Sequence, residues 1–205
     1  MRINLAATKT NLFRVKKTLS LAHEGFKLLD EKRRILINEL NAIIDTAERL
    51  EREADELLRE GYALVNRSVV LMGRSRLESL SFSIDITHVL SIAQKRVMGV
   101  NVPAIDLKTT QHPPYYSPRE VNLIVDEVIA KFREIIAKLS GLAEKKIAIL
   151  RLAKEVQKTI RKVNALQKVY IPYYAAASKY ISERLDEESR DAFSMLKIIK
   201  ERLRQ

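Results

Sequence analysis

Histidines and paired carboxylates are the residues of this chain best equipped for acid–base or metal chemistry, and their spacing works against both. His23, His88 and His112 stand far apart with no His-x-x-x-His pair, and the one adjacent acid, Glu24 beside His23, has no second histidine a turn away. A helical metal site needs two imidazoles one turn apart. Glu187-Glu188 lies in a charged helical run, where a solvated face is the ordinary fate of acids. A phosphate-cradling loop needs glycines ahead of Lys-Ser or Lys-Thr, and a dinucleotide site needs Gly-x-Gly-x-x-Gly; neither occurs. Cysteine is absent, so there is no disulfide, thiolate metal site or thiol nucleophile. The expectation is a chain with no catalytic residue, metal site or cofactor of its own.

The remaining chemistry is charge. The formal net charge is +11 over 205 residues, which draws the molecule towards acidic surfaces, whether protein, nucleic acid or anionic lipid. From Arg151 through Lys154, Lys158, Arg161, Lys162 and Lys168 the one acid is Glu155. These cations are spread around a helix and hold no interleaved aromatic side chains, which argues against stacking on single-stranded bases. A solvated helical face and an acidic protein partner are both consistent with the run.

Elements that could position such charges follow from composition and period. Charged residues make up 31% of the chain, and glycine and proline number five each. High charge with few breakers favours long helices. Stepping from Leu5 by three and four residues gives Thr8, Leu12, Val15, Leu19, Ala22, Phe26, Leu29, Arg33, Leu36, Leu40, Ile43, Ala47, Leu50, Ala54, Leu57, Gly61 and Leu64. Only Thr8, Arg33 and Gly61 are not apolar, and a mean spacing of 3.5 residues is the coiled-coil condition. A second stripe runs from Val121 through Val125, Val128, Phe132, Ile135, Leu139, Leu142, Lys146, Ile149, Ala153, Val156, Ile160, Val163, Gln167, Tyr170, Tyr174 and Ala177 to Ile181. Ser117-Pro118-Arg119-Glu120 predicts the start of this second helix. Pro172 predicts a kink near Tyr170.

Between the stripes the period changes to two. Leu80, Phe82, Ile84 and Ile86 alternate with polar residues, and Met98, Val100 and Val102 form a second short alternation that Pro103 ends. The two predict a small β-hairpin connected by His88 to Arg96, followed by a loop over Lys108 to Tyr116. The fold class expected is mainly α: a long antiparallel two-helix coiled coil, or helical hairpin, with a small β-hairpin in the middle. Its parts are an N-terminal coiled-coil helix over 1–75, the strand pair and loop over 76–118, and a C-terminal coiled-coil helix over 119–205, all in one domain. No apolar run approaches the roughly 20 residues of a membrane span. Residues 1–10 lack the apolar core of a signal peptide, so a soluble protein is expected.

The segment Lys162-Val163-Asn164-Ala165-Leu166-Gln167-Lys168-Val169-Tyr170-Ile171-Pro172 resembles the Arg-Val-Asn-Ala-Leu-Glu-x-x-x-Ile-Pro signature of the D subunit, the central rotor shaft, of the vacuolar and archaeal-type rotary ATPases. Thr8-Lys9-Thr10-Asn11-Leu12, continuing through Leu19, Ala22, Gly25, Leu28-Leu29 and Lys32-Arg33, is similar to that family's opening helix. Met98-Gly99-Val100-Asn101-Val102-Pro103 resembles its β-hairpin. Departures are Ala7, where the family often has proline, and Gln167, where it has glutamate.

The resemblance implies a non-catalytic rotor axle. It implies termini inserted among the catalytic and non-catalytic nucleotide-binding subunits of a head hexamer, and a middle that binds the small F subunit of the stalk. The far end would meet the funnel-shaped subunit leading to the membrane ring. The implied location is cytoplasmic and peripheral to the membrane, with no nucleic acid partner and no membrane insertion. Expected partner-contact residues are Arg14, Lys16, Lys17, Arg161, Lys162 and Lys168 among the cations, and Phe82, Ile84, Ile86, Met98, Val100 and Val102 in the middle segment. A scaffold coiled coil would explain the stripes but not the strands or the signature. A basic nucleic-acid-associated coiled coil would explain only the charge.

Overall fold

The computed structural model describes residues 6–112, 115–117 and 122–203. In chain order it consists of α1 (Lys9–Met72), α2 (Arg74–Ser81), β1 (Ile86–Val97), β2 (Val100–Gln111), α3 (Ile124–Ala165), a π-helical turn (Leu166–Tyr170) and α4 (Ile171–Arg202). This is the expected class, long helices with a two-stranded hairpin between them. Two compact units divide it, one built from the chain up to Ile35 and from Val156 onward, the other from Leu36–Glu155.

In the first unit, Thr8 explains its own departure from the apolar stripe. Its Oγ1 accepts the Asn11 backbone N–H at 3.2 Å and its carbonyl accepts from Leu12, so it is the N-cap of α1. Val15, Ala177 and Ile181 form a buried cluster, with Leu12, Tyr174 and Leu185 packed on it. All six lie on the predicted stripes or their continuation, and burial of each large aliphatic side chain contributes about 1.5–3 kcal/mol.

The unit over Leu36–Glu155 shows the direction of its helices through cross-helix pairs. As α3 advances from Lys131 to Lys138 to Lys146, the partner on α1 retreats from Glu60 to Glu53 to Glu51. The helices are antiparallel. Gly61 sits where the helices approach closely, since a Cβ there would lie 2.8 Å from Ile135 Cδ1 and 3.4 Å from Phe132. Tyr62 meets the edge of the same Phe132 ring at 6.0 Å between centroids. The stripe continues one step beyond its predicted end to Ser68, which is buried and bonds the Leu64 carbonyl.

Four local expectations are corrected. Of the expected first strand, only Ile86 and Thr87 belong to β1, and residues 80–85 are not strand: Leu80 and Ser81 end α2, and Ser83 and Ile84 bond back to the Leu80 and Ser81 carbonyls. Helix α2 gains an i,i+4 ion pair from Arg74 to Glu78 at 2.9 Å, and local bonds of this kind override a weak period-two pattern. His88–Arg96 is not a connection but the body of β1, and Lys108–Gln111 belongs to β2. Pro103 does not end its strand, for a reason given below. The ribbon turns instead at Met98-Gly99, with φ of 50° and 81°, the positive angles a type I′ turn requires.

Further along, Leu152 and Thr159 are more deeply buried than the predicted Ala153 and Ile160 one position later, so the α3 seam slips by one residue while still meeting Val156 and Val163. Near Pro172 the helix widens into the π turn, in which the Ile171 N–H reaches Leu166 O, and Pro172 falls in the first turn of α4. Pro172 has no N–H to donate to the turn before it, and the widened π turn accommodates that missing bond within a continuous helical backbone. The predicted start over Pro118–Glu120, and the stripe positions Leu5 and Val121, lie outside the described residues; α3 is capped at its described start by Asn122, whose Oδ1 accepts the Ile124 N–H at 3.3 Å.

Candidate functional site

The candidate sites on this chain are surfaces. The ribbon is docked on α3 through β2. Glu144 Oε2 accepts the Ile105 backbone N–H at 2.9 Å, and Arg151 Nη1 donates to the Asn101 carbonyl at 2.8 Å. Val102 and Pro103 of β2 are buried. The Ile105 N–H, more than any other group, holds the Glu144 carboxyl below its ordinary 4.5, and Lys145 and Lys95 act in the same direction against partial burial. Lys138 likewise lowers Glu53, while Glu60 raises Lys131. Just before α3, the Tyr116 hydroxyl donates to Asp126 Oδ1, and burial followed by this carboxylate pushes the phenol up to about 12.

The middle-segment residues do not gather on one face. Phe82 stands alone after α2, 90% exposed. Ile84 and Ile86 line an apolar cleft closed by Val128, Ile129, Phe132 and Ile136 of α3. Met98 is at the turn, at the far end of a ribbon of twelve residues per strand. Val100 is half-buried, and Val102 is buried at 6% exposure. The two triplets therefore lie at opposite ends of the ribbon and do not pair. The reason is register: Ile86 faces Gln111, whereas Val100 faces Val97.

Arg14, Lys16 and Lys17 on α1 and Arg161, Lys162 and Lys168 on α3 and the π turn are all exposed and fall in the same compact unit. Among the described residues none of the six has a carboxylate partner within 4 Å.

One surface went unrecognised in the sequence. Leu185 is the last residue of α4 packed on the Val15 cluster, because α1 begins only at Lys9. Every described residue from Asp186 onward is exposed, including Phe193 (72%), Met195, Leu196, Ile198 and Ile199. The signal was present: Leu185, Ala192, Leu196, Ile199 and Leu203 continue the heptad beyond Ile181. This end of α4 keeps a coiled-coil stripe with no partner helix among the described residues. Among those residues no cluster of His, Asp or Glu is arranged to hold a metal ion, and no helix is long and apolar enough to cross a membrane.

The family model for the D subunit of ATP synthase matches residues 11–201. Among curated proteins, the D subunit of the A-type ATP synthase of Thermococcus sibiricus is 34% identical over 201 residues, covering 97% of this chain and 94% of that protein. The protein of the same name from Pyrococcus furiosus is 32% identical over 201 residues, with the same coverage of both chains. That of Methanobrevibacter smithii is 32% identical over 196 residues, 94% of this chain and 85% of that protein.

Proposed function

Because the chain belongs to the D-subunit family of ATP synthases, we propose that it is the non-catalytic central-stalk component, the rotor axle, of an archaeal-type rotary ATPase. In this reading it couples ATP hydrolysis or synthesis in a head hexamer to ion movement through a membrane ring, and it is peripheral to the membrane on the cytoplasmic side. The observation that carries the reading is the bare heptad stripe of α4 beyond Leu185. An apolar helical face of this length in water calls for a surrounding surface, and the head's nucleotide-binding subunits supply one. The exposed cations of α1 and α3 suit an acidic bore, where complementary charge speeds and orients docking. The small F subunit of the stalk is assigned to the Leu36–Glu155 unit and the funnel-shaped subunit to the α1–α2 elbow, where Val70, Leu71 and Phe82 are exposed.

The test is reconstitution of the full chain, and of a chain ending at Glu188, with a nucleotide-binding head. The shortened chain keeps every residue of the Val15 cluster and should melt like the parent. It should lose stable insertion into the head and the coupling of ATP turnover to ion movement. Equal coupling by both chains would reject the axle reading. The isolated chain should also give a flat calorimetric titration with Mg-ATP, and saturable micromolar binding would contradict a non-catalytic role.

A further inference from the structure

The two edges of the ribbon are treated in opposite ways. A two-residue turn at Met98-Gly99 makes Val97 and Val100 a hydrogen-bonded pair. Alternation then sends the N–H and C=O groups of Asn101, Pro103 and Ile105 away from β1. The structure agrees: the Asn101 carbonyl goes to Arg151, the Ile105 N–H goes to Glu144, and Pro103 has no N–H to satisfy. Proline is tolerated in a strand at such an outward position, which is why Pro103 does not end β2. Near the turn, the outer edge of β2 is tied to α3.

The same alternation on β1 sends outward the N–H and C=O groups of His88, Leu90, Ile92, Gln94 and Arg96. Among the described residues no third strand and no further backbone bond reaches them. Residues 87–96 are all exposed, with Leu90 at 51% and Ile92 at 65%. Long open edges invite another strand, and proteins usually blunt them; β1 carries no proline and no acid. The ribbon as a whole has Lys95, Arg96 and Lys108 against Asp106 alone.

We propose that the outer edge of β1 is a docking site for an acidic extended segment of the small stalk partner, which adds a third strand to the ribbon. Backbone pairing supplies the register. Apolar side chains of the incoming strand cover Leu90 and Ile92, and a carboxylate meets the Lys95–Arg96 end. This rests on the stalk reading above and specifies how that neighbour is held.

The test is residue-resolved amide exchange on the full chain, free and assembled with the small stalk partner. In the free chain the amides of Val89, Ser91, Ala93 and Lys95 should already be protected and those of Leu90, Ile92, Gln94 and Arg96 should exchange freely. On assembly the second set should slow by about a hundredfold or more, as for amides buried in a ladder. An Ile92→Pro variant removes an outward N–H without touching a ribbon bond and should weaken assembly roughly tenfold, the cost of about one well-made hydrogen bond. Lys95→Glu should weaken it further at low salt than at high salt. A complex that forms while the outward amides still exchange freely would overturn strand addition and leave the stalk reading standing. Absence of any complex would overturn both.

Discussion

Glu144 shows how much one side chain can decide. It sits on α3, yet its main partner is the backbone of Ile105, on the ribbon. Because its folded pKa lies below the ordinary value, it contributes stability that is complete above the unfolded carboxylate range. That contribution is lost as pH falls through the folded value. The ribbon should therefore loosen from α3 under acid, seen as faster exchange at Ile105 below about pH 4 after correction for the intrinsic rate. Glu144→Ala should produce the same loosening at neutral pH and lower stability by roughly 1–3 kcal/mol, because a backbone donor is left without its acceptor. Gly61 acts by what it lacks. Replacing it with leucine drives a side chain into Ile135 and Phe132 and should lower stability by roughly 1–3 kcal/mol in a denaturant melt. A melt equal to the parent's would mean that the helices separate there at little cost.

Among the elements, the helices were legible because a heptad repeats one physical demand many times. From Leu12 to Leu64 every position of the first stripe is at least half-buried, and a single exception such as Arg33, which pairs with Asp30 at 2.6 Å, does not hide the pattern. The one-residue slip to Leu152 and Thr159 escaped because Ala153 and Ile160 satisfy the period equally well. The ribbon was harder to read. Its turn uses Met98 where asparagine or aspartate would announce a type I′ turn, and its outer strand mixes polar and apolar residues because neither face is fully covered. Pro103 pointed to a strand end, and only its outward N position makes it compatible with β2. Methionine at φ 50° bears a left-handed penalty of about 1–2 kcal/mol. Met98→Asn should recover part of this and slow amide exchange along both strands, while a substitution that left exchange unchanged would show that the turn does not limit ribbon stability. The candidate surfaces followed the same logic: exposed cations were found by composition, whereas the bare end of α4 required knowing where α1 begins.

Across the whole molecule, two compact units are each held by their own seam, and the net charge of +11 leaves the chain dependent on salt for its dealings with acidic neighbours. The cations are not confined to the seams. Arg184, Arg190, Lys197, Lys200 and Arg202 punctuate α4 near and beyond Leu185, where every described residue is exposed and no packed helix opposes local opening. A protease that cuts after basic residues reaches a helix only when it opens locally. In the free chain, brief trypsin treatment should therefore trim this end in steps, starting at Lys200, Lys197 and Arg190, long before it cuts at Lys131 or Lys138, whose side chains are tied to α1. Mass spectrometry of the early fragments would show the order. The same end, once covered by a partner, should become the most persistent part of the chain, so a lone copy degrades from the tail that its assembly protects.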